Sequence, residues 1–508
     1  MGVMRKKLLI VLAILVLLVV GAVVATQMVL GSSIVPSQLE QQLSARFGQP
    51  VHIGSATAAV FPRVALDIRD FSIGTIPSVK LARVQVATSL RGLFSRRIDD
   101  AEVIASDGRM TLPLPFSLVP EATANAADAA GEGFTVNSIR KIVFRRVTLA
   151  AADQSIVIDL DSSITGDRLD ISKLTAKAGK TRIEAKGALT SLATLEGALQ
   201  ATADPLDLDE MIAIGSALAA PDPRARAASR ASGAPGLMHM TIDVKSPKGH
   251  FGPYDFHSLS TRIDAVPGRF TLNPLSVQMF DGKFQGRLDA ETGGPLPVLK
   301  LNGSVAGLDV TQLMKSSGSP GGLTGRLGGT ISIVGIGDDA AALMRTARGT
   351  IAATVSDGMM PHLDMVRTVV LAFGKPSGPP QGSGSSFKRL GGTFALANST
   401  LTSDSLALES RDFDLHGRGA LRVDSGAVTA HADVALSPEL TAQSGNDLRR
   451  YAQEDGRVVV PATISGSLDA PHVSLDVAAA SRRALGNELQ RRATSFFQGL
   501  FKKKKGGG

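Results

Sequence analysis

From Asp412 to Val423 apolar and polar positions alternate. Phe413, Leu415, Gly417, Gly419, Leu421 and Val423 fall on one side, and Asp412, Asp414, His416, Arg418, Ala420 and Arg422 on the other. A period of two residues is that of a β-strand with one apolar face and one wet face. The pattern repeats at Val428, Ala430, Ala432, Val434 and Leu436, and, after a helical insert, at Val458, Val460, Ala462, Ile464, Gly466 and Leu468. An antiparallel sheet made from such strands must hide its apolar face. A second sheet would give a sandwich and closure would give a barrel, whereas a curled open sheet would leave a trough for hydrocarbon. Aromatic residues make up only 4% of the chain, with no Trp and two Tyr. The lining would therefore be small and aliphatic, which suits acyl chains and would also suit a thin ordinary core.

Upstream, Ser37 to Phe47 reads as a short helix with Leu39, Leu43 and Phe47 on one side and Gly48 as its stop. Extended segments follow at Val51–Ile53, Val64–Ile73, Val79–Val86 and Ile98–Leu112, then at Ile139–Leu149, Ile156–Ile164, Leu169–Ala176 and Arg182–Leu189. Further strands are expected at Met238–Val244, Ser260–Asp264, Phe270–Met279, Lys283–Asp289 and Val298–Val305. Ser117–Phe134 and Ala219–Gly236 have the composition of linkers, and Lys315–Gly325 and Phe373–Ser386 are Gly/Ser/Pro breaks. Leu206-Asp207, Leu308-Asp309 and Leu363-Asp364 each precede a short helix-like segment, where Asp can cap the helix start.

The N-terminus changes the setting. Leu8 to Ala25 is an unbroken run of eighteen apolar residues behind Arg5, Lys6 and Lys7. It reads as a transmembrane anchor, extended by Met28, Val29 and Leu30 toward the ~20 residues a bilayer needs. The alternative is a cleaved signal peptide, with Val23 and Ala25 before the cut. Positive charge ahead of the span keeps that end cytoplasmic and sends the bulk of the chain across the membrane. Cysteine is absent from the 508 residues, so stability must come from burial rather than disulfides.

Of the formal charge of +8, the last 28 residues supply +7 and the N-terminal flank +3, which leaves the body at −2. A body without basic stripes or stacking aromatics does not have the electrostatic footprint of a nucleic-acid binder. The basic tail itself is amphipathic in pattern. Leu485, Leu489, Phe496, Phe497 and Leu500 can share a helix face, with Arg491, Arg492, Lys502, Lys503, Lys504 and Lys505 supplying charge for anionic headgroups. A helix capping the last strand, followed by a solvated tail, fits the same residues.

Catalytic signals are weak. Gly335-Ile336-Gly337-Asp338-Asp339 resembles a dinucleotide loop, but the flanking βαβ units are missing, and a turn with an Asp helix cap explains it better. The eight histidines show no i, i+4 metalloprotease arrangement, and His250 and His257 around Tyr254 and Asp255 match no ligand spacing. No catalytic residue, metal or cofactor is expected.

Several segments in order resemble the AsmA family of bacterial envelope proteins. They are Phe47-Gly48-Gln49-Pro50-Val51-His52-Ile53, Phe61-Pro62, Leu66 through Gly74, Ala347-Arg348-Gly349-Thr350-Ile351, Val355-Ser356-Asp357-Gly358, Phe387 through Thr393, Leu406 with Gly417-Arg418-Gly419, and Val460 through Val473. The resemblance covers roughly residues 1–110 and 320–480. It implies a mainly β protein: a transmembrane helix, an elongated, curled antiparallel β-groove with short helices, and a C-terminal amphipathic helix. It also implies a periplasmic, inner-membrane-anchored chain that supports outer-membrane biogenesis by shielding phospholipid acyl chains, without catalysis. The alternative is a scaffold for outer-membrane protein assembly that holds no lipid. Membrane phospholipids and other envelope proteins are the partners so implied.

On this reading the chain divides into an anchor (1–30), an AsmA-like N-terminal region (31–116), a linker (117–134), a β-rich segment (135–218), a second linker (219–236), a second β-rich segment (237–314), the groove region (315–480) and the basic tail (481–508). The residues expected to line the groove are Phe413, Leu415, Leu421, Val423, Val428, Val434, Leu436, Val458, Val460, Ile464 and Leu468.

Overall fold

Alternating strands dominate the chain. The computed structural model describes residues 34–59, 63–76, 78–89, 97–98, 100–112, 135–136, 138–192, 194–219, 238–316, 318, 322–361, 384–443, 453–467, 471–476, 479 and 482. The apolar run Leu8–Ala25, residue Leu468 and the basic tail with Leu485, Leu489, Arg491, Arg492, Phe496, Phe497, Leu500 and Lys502–Lys505 lie outside them. Among the described residues no helix is long and apolar enough to cross a membrane. Two compact units, Met1–Leu272 and Asn273–Gly508, divide the chain within a strand.

The first unit opens with α1 (Ile34–Phe47), β1 (Val51–Ala59), β2 (Val64–Ile73) and β3 (Val79–Thr88). Next come β4 (Arg97–Ile98), β5 (Ala101–Leu112), β6 (Thr135–Val136), β7 (Ser138–Ala151) and β8 (Gln154–Thr165). It continues through β9 (Arg168–Ala178), β10 (Thr181–Ser191), β11 (Glu196–Ala203), β12 (Leu206–Asp207), α2 (Leu208–Ala219), β13 (His239–Phe251) and β14 (Tyr254–Val266). The division falls in β15 (Arg269–Met279).

Helix α1 covers the first strands with Leu39 and Leu43, both buried among Val51, Ile53, Leu66, Ile68 and Val86. Burying such a side chain stabilises by ~1.5–3 kcal/mol. Two bonds fix its angle: the Ile53 N–H donates to Glu40 Oε1 (2.6 Å) and the Val51 N–H to Ser44 Oγ (2.8 Å).

The expected sheet was antiparallel throughout, and here the structure differs. β5 pairs with β7 in parallel, and so does β11 with β13. Each parallel joint coincides with one of the segments whose composition reads as a linker. The reason is geometric: parallel neighbours need a crossover of a dozen or more residues to bring the chain back to the same end. The second crossover carries α2, capped where Asp207 Oδ1 accepts the Glu210 N–H (2.9 Å).

The second unit comprises β16 (Gly282–Glu291), β17 (Val298–Asp309), α3 (Val310–Ser316), β18 (Arg326–Ile336), α4 (Ala340–Thr346), β19 (Arg348–Met360) and β20 (Ser385–Ala397). It ends with β21 (Thr400–Glu409), β22 (Phe413–Arg422), β23 (Ala427–Leu436), α5 (Pro438–Gln443), β24 (Gln453–Glu454), β25 (Arg457–Ser467) and β26 (Pro471–Leu475). Strands β16 to β23, then β25 and β26, pair in that order, every neighbour antiparallel.

The Leu-Asp device works as a cap here too: the Gln312 N–H donates to Asp309 Oδ1 (3.1 Å) at α3. At α4, Asp339 Oδ1 accepts the Ala342 N–H (2.6 Å), so the Gly335–Asp339 segment is a strand-to-helix turn. Asp364 lies outside the described residues.

Candidate functional site

Cross-strand register assembles the apolar face of the second unit into continuous rows. Leu327, Val355, Leu390, Leu408, Leu415, Val434 and Val460 are partners in turn across seven strands. Three rows along the strands, Leu396, Leu401, Leu421 and Val428 form a parallel line. Adjacent pairs of this kind contribute roughly 0.2–1 kcal/mol each.

Between these rows lies a cavity of about 280 Å³, larger than the ~150 Å³ apolar cavity known to hold benzene. Its walls come from β19 to β23, β25 and the start of β26, with Gly322 and Leu323 ahead of β18. Seven strands laid flat at ~4.8 Å spacing would spread across ~29 Å. One small cavity can touch them all only where the sheet curls around it.

The chemistry of the wall is uniform. Every lining residue is Gly, Ala, Val, Leu, Ile, Met, Phe or Pro, so no side chain offers a hydrogen bond. A polar guest would leave water without compensation, whereas hydrocarbon loses nothing by entering. Small residues make the room: Ala353, Gly391, Gly419 and Ala430 sit where larger side chains would fill the space. A Cβ at Gly419 would come within 2.6 Å of Ala430 Cβ, so the backbones on that wall are already in close contact.

One end of the trough is closed by a packed core. Val310 and Met314 of α3 join Val355, Phe387, Leu408, Phe413, Leu436 and Val458 there, with Leu440 of α5 packed against them. Ser437 starts α5, its Oγ accepting the Leu440 N–H (3.2 Å), and Thr441 Oγ1 accepts the Val458 N–H (3.1 Å). Arg457 fastens the same end: it donates to Leu436 O (2.6 Å), Ala435 O (2.8 Å) and Asp414 Oδ2 (2.6 Å). At the other end, beyond Leu421, the β22–β23 hairpin carries the exposed Arg422–Asp424 pair (2.6 Å). The Arg422 hydrogen bond holds the Asp424 carboxyl below its usual range.

The residues expected to line a groove separate by depth. Phe413, Leu415, Leu421, Val428 and Ile464 line the cavity. Val434, Leu436, Val458 and Val460, at most 3% exposed, form the core at its closed end. Val423 stands past the open end and is 39% exposed. Sequence reasoning did not select Val355, Leu390, Phe394, Leu401 or Leu408. For Leu401 and Leu408 the signal was hidden by one extra residue in β21: the register shifts between Ser403 and Leu406, so both reach the same face despite opposite parity.

In the first unit, Asp207, Asp209 and His250 bring ligand atoms within 4.8 Å of one another. Each carboxylate already has protein donors. Asp207 Oδ1 caps α2 while its Oδ2 lies 2.8 Å from His250 Nε2, and Asp209 Oδ2 accepts the Gly252 N–H (2.6 Å). The cluster ties α2 to the β13–β14 hairpin. His257 sits exposed on β14 opposite Lys248, two ladder positions from the His250–Asp255 pair.

The second unit is therefore a curled, mainly β sheet around a trough with an apolar lining. Residues 255–408 match the model of the AsmA family, and over this segment the chain is similar to that family. The match takes in β19 to β21 of the trough wall and extends back through 255–319, outside the stretches that carried the resemblance. The resembling stretches 1–110 and 409–480 fall outside it. No curated protein and no solved structure matches the chain.

Proposed function

We propose that this chain serves the bacterial envelope as a carrier of phospholipid acyl chains, supporting outer-membrane biogenesis without catalysis. The observation behind this reading is the trough of the second unit, curled over seven strands and lined by apolar residues alone. AsmA proteins are generally associated with the envelope. On this reading Leu8–Ala25 anchors the chain in the inner membrane, the bulk lies in the periplasm, and phospholipids are the partners. The basic tail then lies on anionic headgroups.

The test is native mass spectrometry of the purified full chain. Phospholipid bound to the unsubstituted chain and lost from Leu421→Asp supports the carrier. A chain that carries no phospholipid, with or without that substitution, leaves a scaffold of dry sheet as the better account.

A further inference from the structure

Resting on the carrier reading, we propose that the trough is a blind sleeve that takes one acyl chain, methyl end first, with Ala353 and Ala430 setting its bore at two depths. The blind end is the wall of Val355, Leu408 and Phe413, each at most 8% exposed, backed by Val434 and Val460 at 0%. The mouth is the row of Leu401, Leu421 and Val428, all partly exposed, and Val423 just beyond it faces water.

The strands act as a ruler. Phe413 and Leu421 are eight residues apart on β22, roughly 26 Å at ~3.3 Å per residue. One leaflet of a ~30 Å hydrocarbon core needs only ~15 Å of chain, so the sleeve is long enough for a whole tail. At about 280 Å³ the cavity falls just below the ~300–1,000 Å³ of ligand pockets, and this favours one chain over two.

Direction follows from desolvation. A headgroup drawn inward would lose its hydrogen bonds to water among side chains that offer none, while at the mouth it stays wet beside the Arg422–Asp424 pair. Register then places the two alanines. Ala430 pairs with Gly419, one row in from Leu421, about 7 Å along the strand. Ala353 pairs with Gly392 and Gly329 one row short of Val355, about 13 Å in from the mouth row. A chain lying crosswise over the strands would meet both positions alike; a chain inserted along them meets Ala430 first.

The experiment uses the full chain in vesicles of phosphatidylethanolamine and phosphatidylglycerol. The probes are phosphatidylethanolamines whose palmitoyl chain carries a diazirine at either the last or the third carbon, with labelled residues read by peptide mass spectrometry. The last-carbon probe is expected to label Val355, Leu408 or Phe413, and the third-carbon probe Leu401, Leu421 or Val428. Ala353→Phe should cut last-carbon labelling of the blind wall at least tenfold and leave mouth labelling within twofold, whereas Ala430→Phe should cut both. Should a variant lose its native hydrogen-exchange pattern, the order of the two probes in the unsubstituted chain decides alone. Both probes on the same residues, or a reversed order, overturn the sleeve but keep the carrier; no labelling in the trough by either probe overturns both.

Discussion

Leu421→Asp separates a trough from a core. Leu421 pairs with Leu401 and Val428 and lines the outer part of the cavity while remaining partly exposed. In the unloaded protein a carboxylate there keeps contact with water, so the fold loses only part of a buried leucine, less than ~1.5 kcal/mol. With hydrocarbon seated against it the carboxylate is desolvated with no donor nearby. At ~3 kcal/mol that lowers acyl affinity about a hundredfold, since 1.4 kcal/mol is a factor of ten.

Val434→Ala is the counterpart. Val434 is 0% exposed between Leu415 and Val460, and losing two methyl groups plus leaving a cavity costs about 2–3 kcal/mol of stability. Urea denaturation and acyl-lipid titration of both variants give the four numbers. Leu421→Asp should show the larger fall in affinity and the smaller drop in midpoint, and Val434→Ala the reverse. Parallel losses in both, or an unchanged affinity in Leu421→Asp, would refute the distinction between lining and core.

Two further outcomes follow from the packing. Gly417→Ala should destabilise the second unit by about 1–3 kcal/mol, read as a lower urea midpoint, because its Cβ would stand 2.3 Å from His431 O and 2.6 Å from Ala432 Cβ. In the first unit burial opposes ionisation of Glu102, yet Arg140 and Arg63 outweigh it and hold the carboxyl below its usual value of 4.5. A lowered folded-state value means that the stabilisation is present above that ordinary value and is lost as pH falls through the folded one. Acid titration of Glu102→Gln should therefore show a flatter loss of stability below pH 4.5 than the unsubstituted chain, followed by circular dichroism.

Strand existence was legible wherever the alternation was strong. Val64–Ile73 appears as read, the strand read over Asp412–Val423 spans Phe413–Arg422, and the Asp caps at α2 and α3 sit where Leu-Asp placed them. β11 was missed because its inward face is Gly197, Leu199, Ala201 and Ala203, too small to register as hydrophobic. The parallel joints were invisible because strand direction depends on crossover length and not on alternation. Alternation also could not rank depth: Leu421 and Phe413 share a parity, yet Phe413 is buried under the helices of the closed end while Leu421 opens toward water. A charge at Phe413, Leu415 or Val434 would therefore unfold the sheet before it could report on lipid.

Crosslinking in living cells reaches the central claim most directly. A photoreactive amino acid is placed at Leu401, on the trough wall, and separately at Arg418, exposed on the opposite face of the sheet. Adducts of phospholipid mass at Leu401 and not at Arg418 are the predicted result. Protein adducts alone at Leu401, or lipid adducts equally at both positions, would contradict it.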